Sequence, residues 1–133
     1  MDEERLKRYK EKIAYITSNL ENLPEPNTET NKKAIFYDLH TCIEACMSLL
    51  SMLTKDMGMG VLDDVANVHR IIEKRELNPK LGEQLLKANG MRNIIVHRYN
   101  SFDEKIVLGS MKNVKALLFK WMEIIEGILD DII

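Results

Sequence analysis

Apolar residues recur at alternating three- and four-residue steps along most of this chain, starting with Leu6, Tyr9, Ile13, Ile16, Leu20 and Leu23. That period returns side chains to one stripe of a helix, so it predicts an amphipathic helix from about Glu3 to Leu23, with Asp2 as its N-cap. Pro24, Pro26, Asn27 and Thr28 end it in a loop. A second helix is predicted over about Thr30 to Met57. Its stripe of Ile35, Leu39, Cys42, Cys46, Leu49 and Leu53 is widened by Phe36, Ile43, Met47 and Leu50. So broad a stripe implies burial on more than one side, within a bundle or also against another subunit. Gly58 and Gly60 supply the stop.

Val61 to Glu76 reads as a shorter third helix, with Leu62, Val65, Val68 and Ile72 apolar. Asn78-Pro79 has the form of an N-cap followed by proline at the first helical position. A fourth helix then runs through Leu81, Leu85 and Leu86 past Gly90, whose place there permits either close packing or a bend. Asn100-Ser101-Phe102-Asp103 reads as a turn, with Asp103 capping a last helix that carries Ile106, Met111, Val114, Leu117, Leu118, Trp121, Ile124, Ile125, Ile128 and Leu129. No strand-like alternation of any length interrupts the pattern. The fold class expected is all-α: an antiparallel four-helix bundle with one additional short helix, as a single domain over residues 1–133.

Composition narrows the class. Apolar residues make up 45% and charged residues 30%, the balance of a globular chain and not of a disordered one. No apolar run approaches the roughly 20 residues that span a bilayer, and the start, Met1-Asp2-Glu3-Glu4-Arg5, has no apolar signal region. A cytoplasmic protein without membrane contact is expected. Cys42 and Cys46, one helical turn apart in an apolar stripe, read as buried thiols and not as a disulfide. The net charge of −2 does not advertise a nucleic-acid partner, but residues 67–100 carry seven basic and three acidic side chains. A locally positive region on an acidic chain suits a phosphate-bearing substrate, and equally an ordinary solvated face.

One stretch suggests chemistry: Arg92-Asn93-Ile94-Ile95-Val96-His97-Arg98-Tyr99. Arginine is a permanent cation with a planar fork of donors that fits phosphate, and histidine moves protons near neutral pH. At about 100° per residue, Arg92, Asn93, Val96, His97 and Tyr99 fall within an arc of about 160°, opposite Met91, Ile94 and Ile95. Asn93 and His97 are i and i+4, so their side chains can touch. Spacing alone also fits a surface arginine, a histidine favoured by the helix C-terminus and a packed tyrosine.

The extended motif resembles the Arg-x4-His-x-Tyr signature of HepT-like proteins, which belong to the HEPN superfamily of small helical bundles. Ile43-Glu44-Ala45-Cys46, the approach Leu85 to Asn93 and the exit Asn100 to Asp103 are similar to that family as well. The resemblance implies a HEPN-like fold and the toxin of a toxin–antitoxin pair, an endoribonuclease that needs no metal or other cofactor. It implies that Arg92 and His97 are catalytic, near a homodimer interface, with Asn93 supporting them. It implies as partner a minimal nucleotidyltransferase antitoxin, which transfers AMP onto the tyrosine, here Tyr99. The alternative is a non-catalytic HEPN subunit that binds such a transferase. A metal-binding bundle built on His40, His69, His97, Cys42, Cys46 and Glu44 is disfavoured. No Glu-x-x-His pair is present, and His40 and Cys42, two apart on a helix, face apart. Trp121 reads as core or dimer interface.

Overall fold

The structure is a computed structural model that describes residues 1–97 and 101–133, with side chains described at 1–95 and 104–133. Five helices follow one another: α1 (Glu3–Glu21), α2 (Glu29–Asp56), α3 (Asp64–Lys74), α4 (Pro79–His97) and α5 (Ser101–Ile132). No strand occurs among the described residues.

The starts of the first three helices are written in their side chains. Asp2, Thr28 and Asp63 each sit in extended backbone and accept a hydrogen bond from the N–H of Arg5, Asn31 and Ala66 respectively. Each carboxylate or hydroxyl thereby satisfies an amide that the helix leaves without a partner. Thr28 is thus the cap of α2 and not merely part of the preceding loop. Asp63 moves the start of α3 past Val61 and Leu62, which lie outside the helix and are exposed, as is Val65. The buried residues of that helix are Asn67 and the apolar stripe of Val68, Ile71 and Ile72. At the last helix the correction runs the other way: α5 begins at Ser101, so Asp103 lies within its first turn and does not precede it. Asn100 falls outside the described residues.

α1 and α2 are antiparallel. Arg5 near the start of α1 pairs with Asp56 at the end of α2, while Tyr15 donates to Thr41 Oγ1 at 2.8 Å midway along both. α4 and α5 form a second antiparallel pair, tied where Trp121 Nε1 donates to the Leu81 carbonyl at 3.3 Å. Trp121 is fully buried, which makes it a core residue. α3 bridges the pairs, packing on α2 and α4, and α2 touches all four other helices. That central position accounts for the broad apolar stripe of α2: Leu39, Cys42, Ile43, Cys46, Leu49, Leu50 and Leu53 are all fully buried within one chain.

One polar cluster locks the open end of the α1–α2 pair. Arg5 Nε donates to Asp56 Oδ2 at 2.8 Å, and the Tyr9 hydroxyl donates to the same oxygen. Desolvation by itself would raise the Asp56 carboxyl, but the bonds from Arg5 and Tyr9 outweigh it and hold the carboxyl below its ordinary range. Burial, reinforced by Asp56, pushes the Tyr9 phenol well above its ordinary value, so it stays a donor.

Candidate functional site

α3 and α4 form a tight antiparallel hairpin that sets the position of the motif arginine. Its closest approach is at Gly82, where a Cβ would stand 3.0 Å from Ile72 Cγ1 and 3.3 Å from Val68 Cγ1. Gly90 has open space around its missing side chain, so close packing is not its role. The turn before α3 is clasped by Asn67, a buried side chain that donates to the Leu62 carbonyl and accepts from the Leu62 N–H at 3.1 Å. Arg70 adds a bond to the Gly60 carbonyl at 2.6 Å. A rigid α3 N-terminus is therefore held opposite the second half of α4.

Arg92 points at that N-terminus. Its Nη2 lies 3.9 Å from Asp64 Oδ2, with 21% of the arginine side chain and 39% of the aspartate side chain exposed. At this distance the pair is too long for a hydrogen bond, so the contact with Asp64 takes up none of the donors of the guanidinium fork. The wheel of α4 is as expected: Met91 and Ile95 are buried, Ile94 is half-buried, and Asn93 is exposed on the other side. Asn89, one turn before Arg92 and Asn93, has a buried Oδ1 with no hydrogen-bond partner among the described residues. An unsatisfied buried acceptor is costly for stability, and Asn89 adds a polar side chain to this stretch of α4 beyond the residues of the motif.

His97 is the last residue of α4. Its side chain, and Arg98 and Tyr99 altogether, lie outside the described residues. Of the four expected site residues, the structure therefore describes the side chains of Arg92 and Asn93, on one face of α4 within a turn of each other. Asp64 was not legible as a neighbour of Arg92. With the third helix taken to begin at Val61, that carboxylate is one more solvated side chain, and the signal that could have found it is the Asp63 cap.

The remaining titratable side chains do not converge. Among the described residues no group of three or more His, Cys, Asp or Glu could hold a metal ion. His40 approaches Glu44 at 3.5 Å from Nε2, and its buried Nδ1 has no hydrogen-bond partner among the described residues. His69 is exposed. Cys42 and Cys46 are free and fully buried, and burial pushes both thiols up to about 12. No helix among the described residues is long and apolar enough to cross a membrane.

The described residues form an all-helical bundle in which Arg92 and His97 stand five positions apart in the last part of α4. The chain belongs to the Ribonuclease HepT-like family, whose model matches residues 4–125. A protein of Archaeoglobus fulgidus named "Putative RNase" is 43% identical over 129 residues, covering 96% of this chain and 98% of that one. A solved toxin–antitoxin structure with AMP-PNP superposes with a TM-score of 0.80 at 18% identity, covering 94% of this chain and 99% of that one. A tri-AMPylated Shewanella oneidensis HEPN toxin in complex with MNT antitoxin superposes with a TM-score of 0.70 at 18% identity, covering 96% and 99%. At such identities the two structures establish the shared fold.

Proposed function

We propose that this chain, acting as a single HepT-like domain over residues 1–133, is the toxin of a toxin–antitoxin pair and a metal-independent RNA endonuclease. The observation that carries the reading is Arg92. It is a half-buried guanidinium on the polar face of α4, near a carboxylate but not hydrogen-bonded to it, in a chain of the Ribonuclease HepT-like family. A fork in that state is set to receive a phosphodiester and to stabilise the charge that develops on its non-bridging oxygens.

His97 follows Arg92 by just over one helical turn. As general base it takes the proton of a ribose 2′-OH, and the 2′-oxygen then attacks the adjacent phosphorus. The bond to the 5′-oxygen breaks, that oxygen takes up a proton, and a 2′,3′-cyclic phosphate remains. In a homodimer a second His97 supplies the leaving-group proton. Asn93, exposed beside the arginine, supports the substrate. The chemistry requires a 2′-OH and so selects RNA over DNA.

The partner in this reading is a minimal nucleotidyltransferase antitoxin. It transfers AMP from a nucleoside triphosphate to the Tyr99 hydroxyl, with pyrophosphate leaving. The new phosphate then competes for the Arg92 fork. Both proteins act in the cytoplasm. Growth arrest and RNA cleavage by the wild type, abolished in Arg92→Ala and in His97→Ala and relieved by the co-expressed transferase with an AMP-sized mass gain on Tyr99, is the expected result. Undiminished cleavage by His97→Ala overturns the catalytic assignment. Binding of the transferase with no cleavage by any form favours the non-catalytic subunit instead.

A further inference from the structure

We propose that Asp64 is the positioning residue for Arg92: it aims the guanidinium at the substrate phosphate without occupying the donors that receive it. The proposal rests on the reading of Arg92 as the phosphate-binding group. Three observations carry it. The two charges stand 3.9 Å apart on different helices, too far for a hydrogen bond and close enough for the carboxylate to set the direction of the fork. No donor of the arginine is consumed by the contact, so orientation and availability are combined. The distance is also fixed from both sides. Gly82 brings α4 onto Ile72 and Val68 of α3, and the Asn67 clasp holds the turn that leads into α3.

The adjacent aspartates divide the work. Asp63 Oδ1 accepts from the Ala66 N–H at 2.8 Å and is spent on capping. Asp64, in the first turn of the helix, makes no cap bond and faces Arg92. A partly exposed ion pair at this distance contributes little to stability, so its consequence lies in what it does to the arginine. Two opposed effects follow. The negative charge at Asp64 works against the arrival of a polyanion, which weakens ground-state binding. The same charge keeps the fork aligned when phosphate charge develops, which speeds the chemical step.

The test is a split of kcat from KM with a binding cycle beside it. In the full-length protein, Asp64→Asn is expected to lower kcat about tenfold while lowering KM about two- to fivefold, and Asp64→Glu is expected to restore most of kcat. A short RNA carrying 2′-O-methyl groups throughout, which cannot be cleaved by this route, is expected to bind Asp64→Asn several-fold more tightly than wild type. That gain is expected to vanish when Arg92 is alanine. Asp63→Ala controls for helix damage: it lowers the melting temperature and leaves kcat and KM unchanged below it. A parallel loss of kcat in Asp64→Asn and Asp63→Ala, or a binding gain that persists in the Arg92→Ala background, overturns the proposal for Asp64 alone. Normal cleavage and binding by Arg92→Ala itself overturns the reading of the site.

Discussion

Gly82 of α4 lies so close to Ile72 of α3 that a Cβ would stand 3.0 Å from the isoleucine Cγ1. That contact fixes the hairpin whose far end sets Arg92 opposite Asp64. A methyl group at Gly82 requires the buried Ile72 and Val68 side chains to give by a few tenths of an ångström, whereas one at Gly90 meets open space.

The two glycines are therefore expected to respond in opposite directions. Gly82→Ala is expected to destabilise the fold by about 1–3 kcal/mol, the ordinary range for overpacking, even though alanine is the better helix former. Gly90→Ala is expected to stabilise it by up to about 1 kcal/mol. Urea unfolding of both variants checks this, and equal shifts of the same sign would falsify it.

The Arg5–Tyr9–Asp56 cluster makes stability acid-sensitive. The native Asp56 carboxyl is held below its ordinary range, so its contribution is fully present above the unfolded value of about 4 and is lost as pH falls through the lower native value. Asp56→Ala leaves a half-buried guanidinium and a phenol without their acceptor and is expected to cost about 2 kcal/mol near neutral pH. The wild type and Asp56→Asn are expected to converge in urea midpoint as pH falls from 5 to below about 4. A gap that stays constant over that range counts against the cluster.

Cys42 and Cys46 are expected to be chemically silent in the folded protein. With both thiols pushed up to about 12, only about one in ten thousand is thiolate at pH 8, and neither is exposed. A thiol-reactive dye is expected to label both in denaturant and neither in native buffer within minutes. Rapid native labelling would show that α2 opens.

For the proposed chemistry, Arg92→Ala is expected to lower kcat/KM by about 10²–10³ as a lost charge stabiliser, and His97→Ala by about 10²–10⁴ as a lost proton-transfer group. Gel-based cleavage of a defined RNA measures both. Cleavage is expected to persist in excess chelator and to leave a 2′,3′-cyclic phosphate end. Dependence on added divalent metal would redirect the mechanism.

The sequence by itself determined the five helices, most of the buried stripe and the motif, because each is a local property. A helix returns to the same face every three or four residues, so Tyr9, Ile13, Ile16 and Leu20 announce their stripe without knowledge of what covers it. Caps are as local: the Asp63 cap starts α3 at Asp64, three residues after the Val61 expected from the apolar pattern alone. Only the tertiary structure decided what lies across from each stripe. It showed that the breadth of α2 serves four neighbouring helices in one chain, that the glycine under pressure is Gly82 and not Gly90, and that Asp64 faces Arg92. Those relations join residues on different helices, and the distance between such residues is set by packing, which no period along the chain encodes.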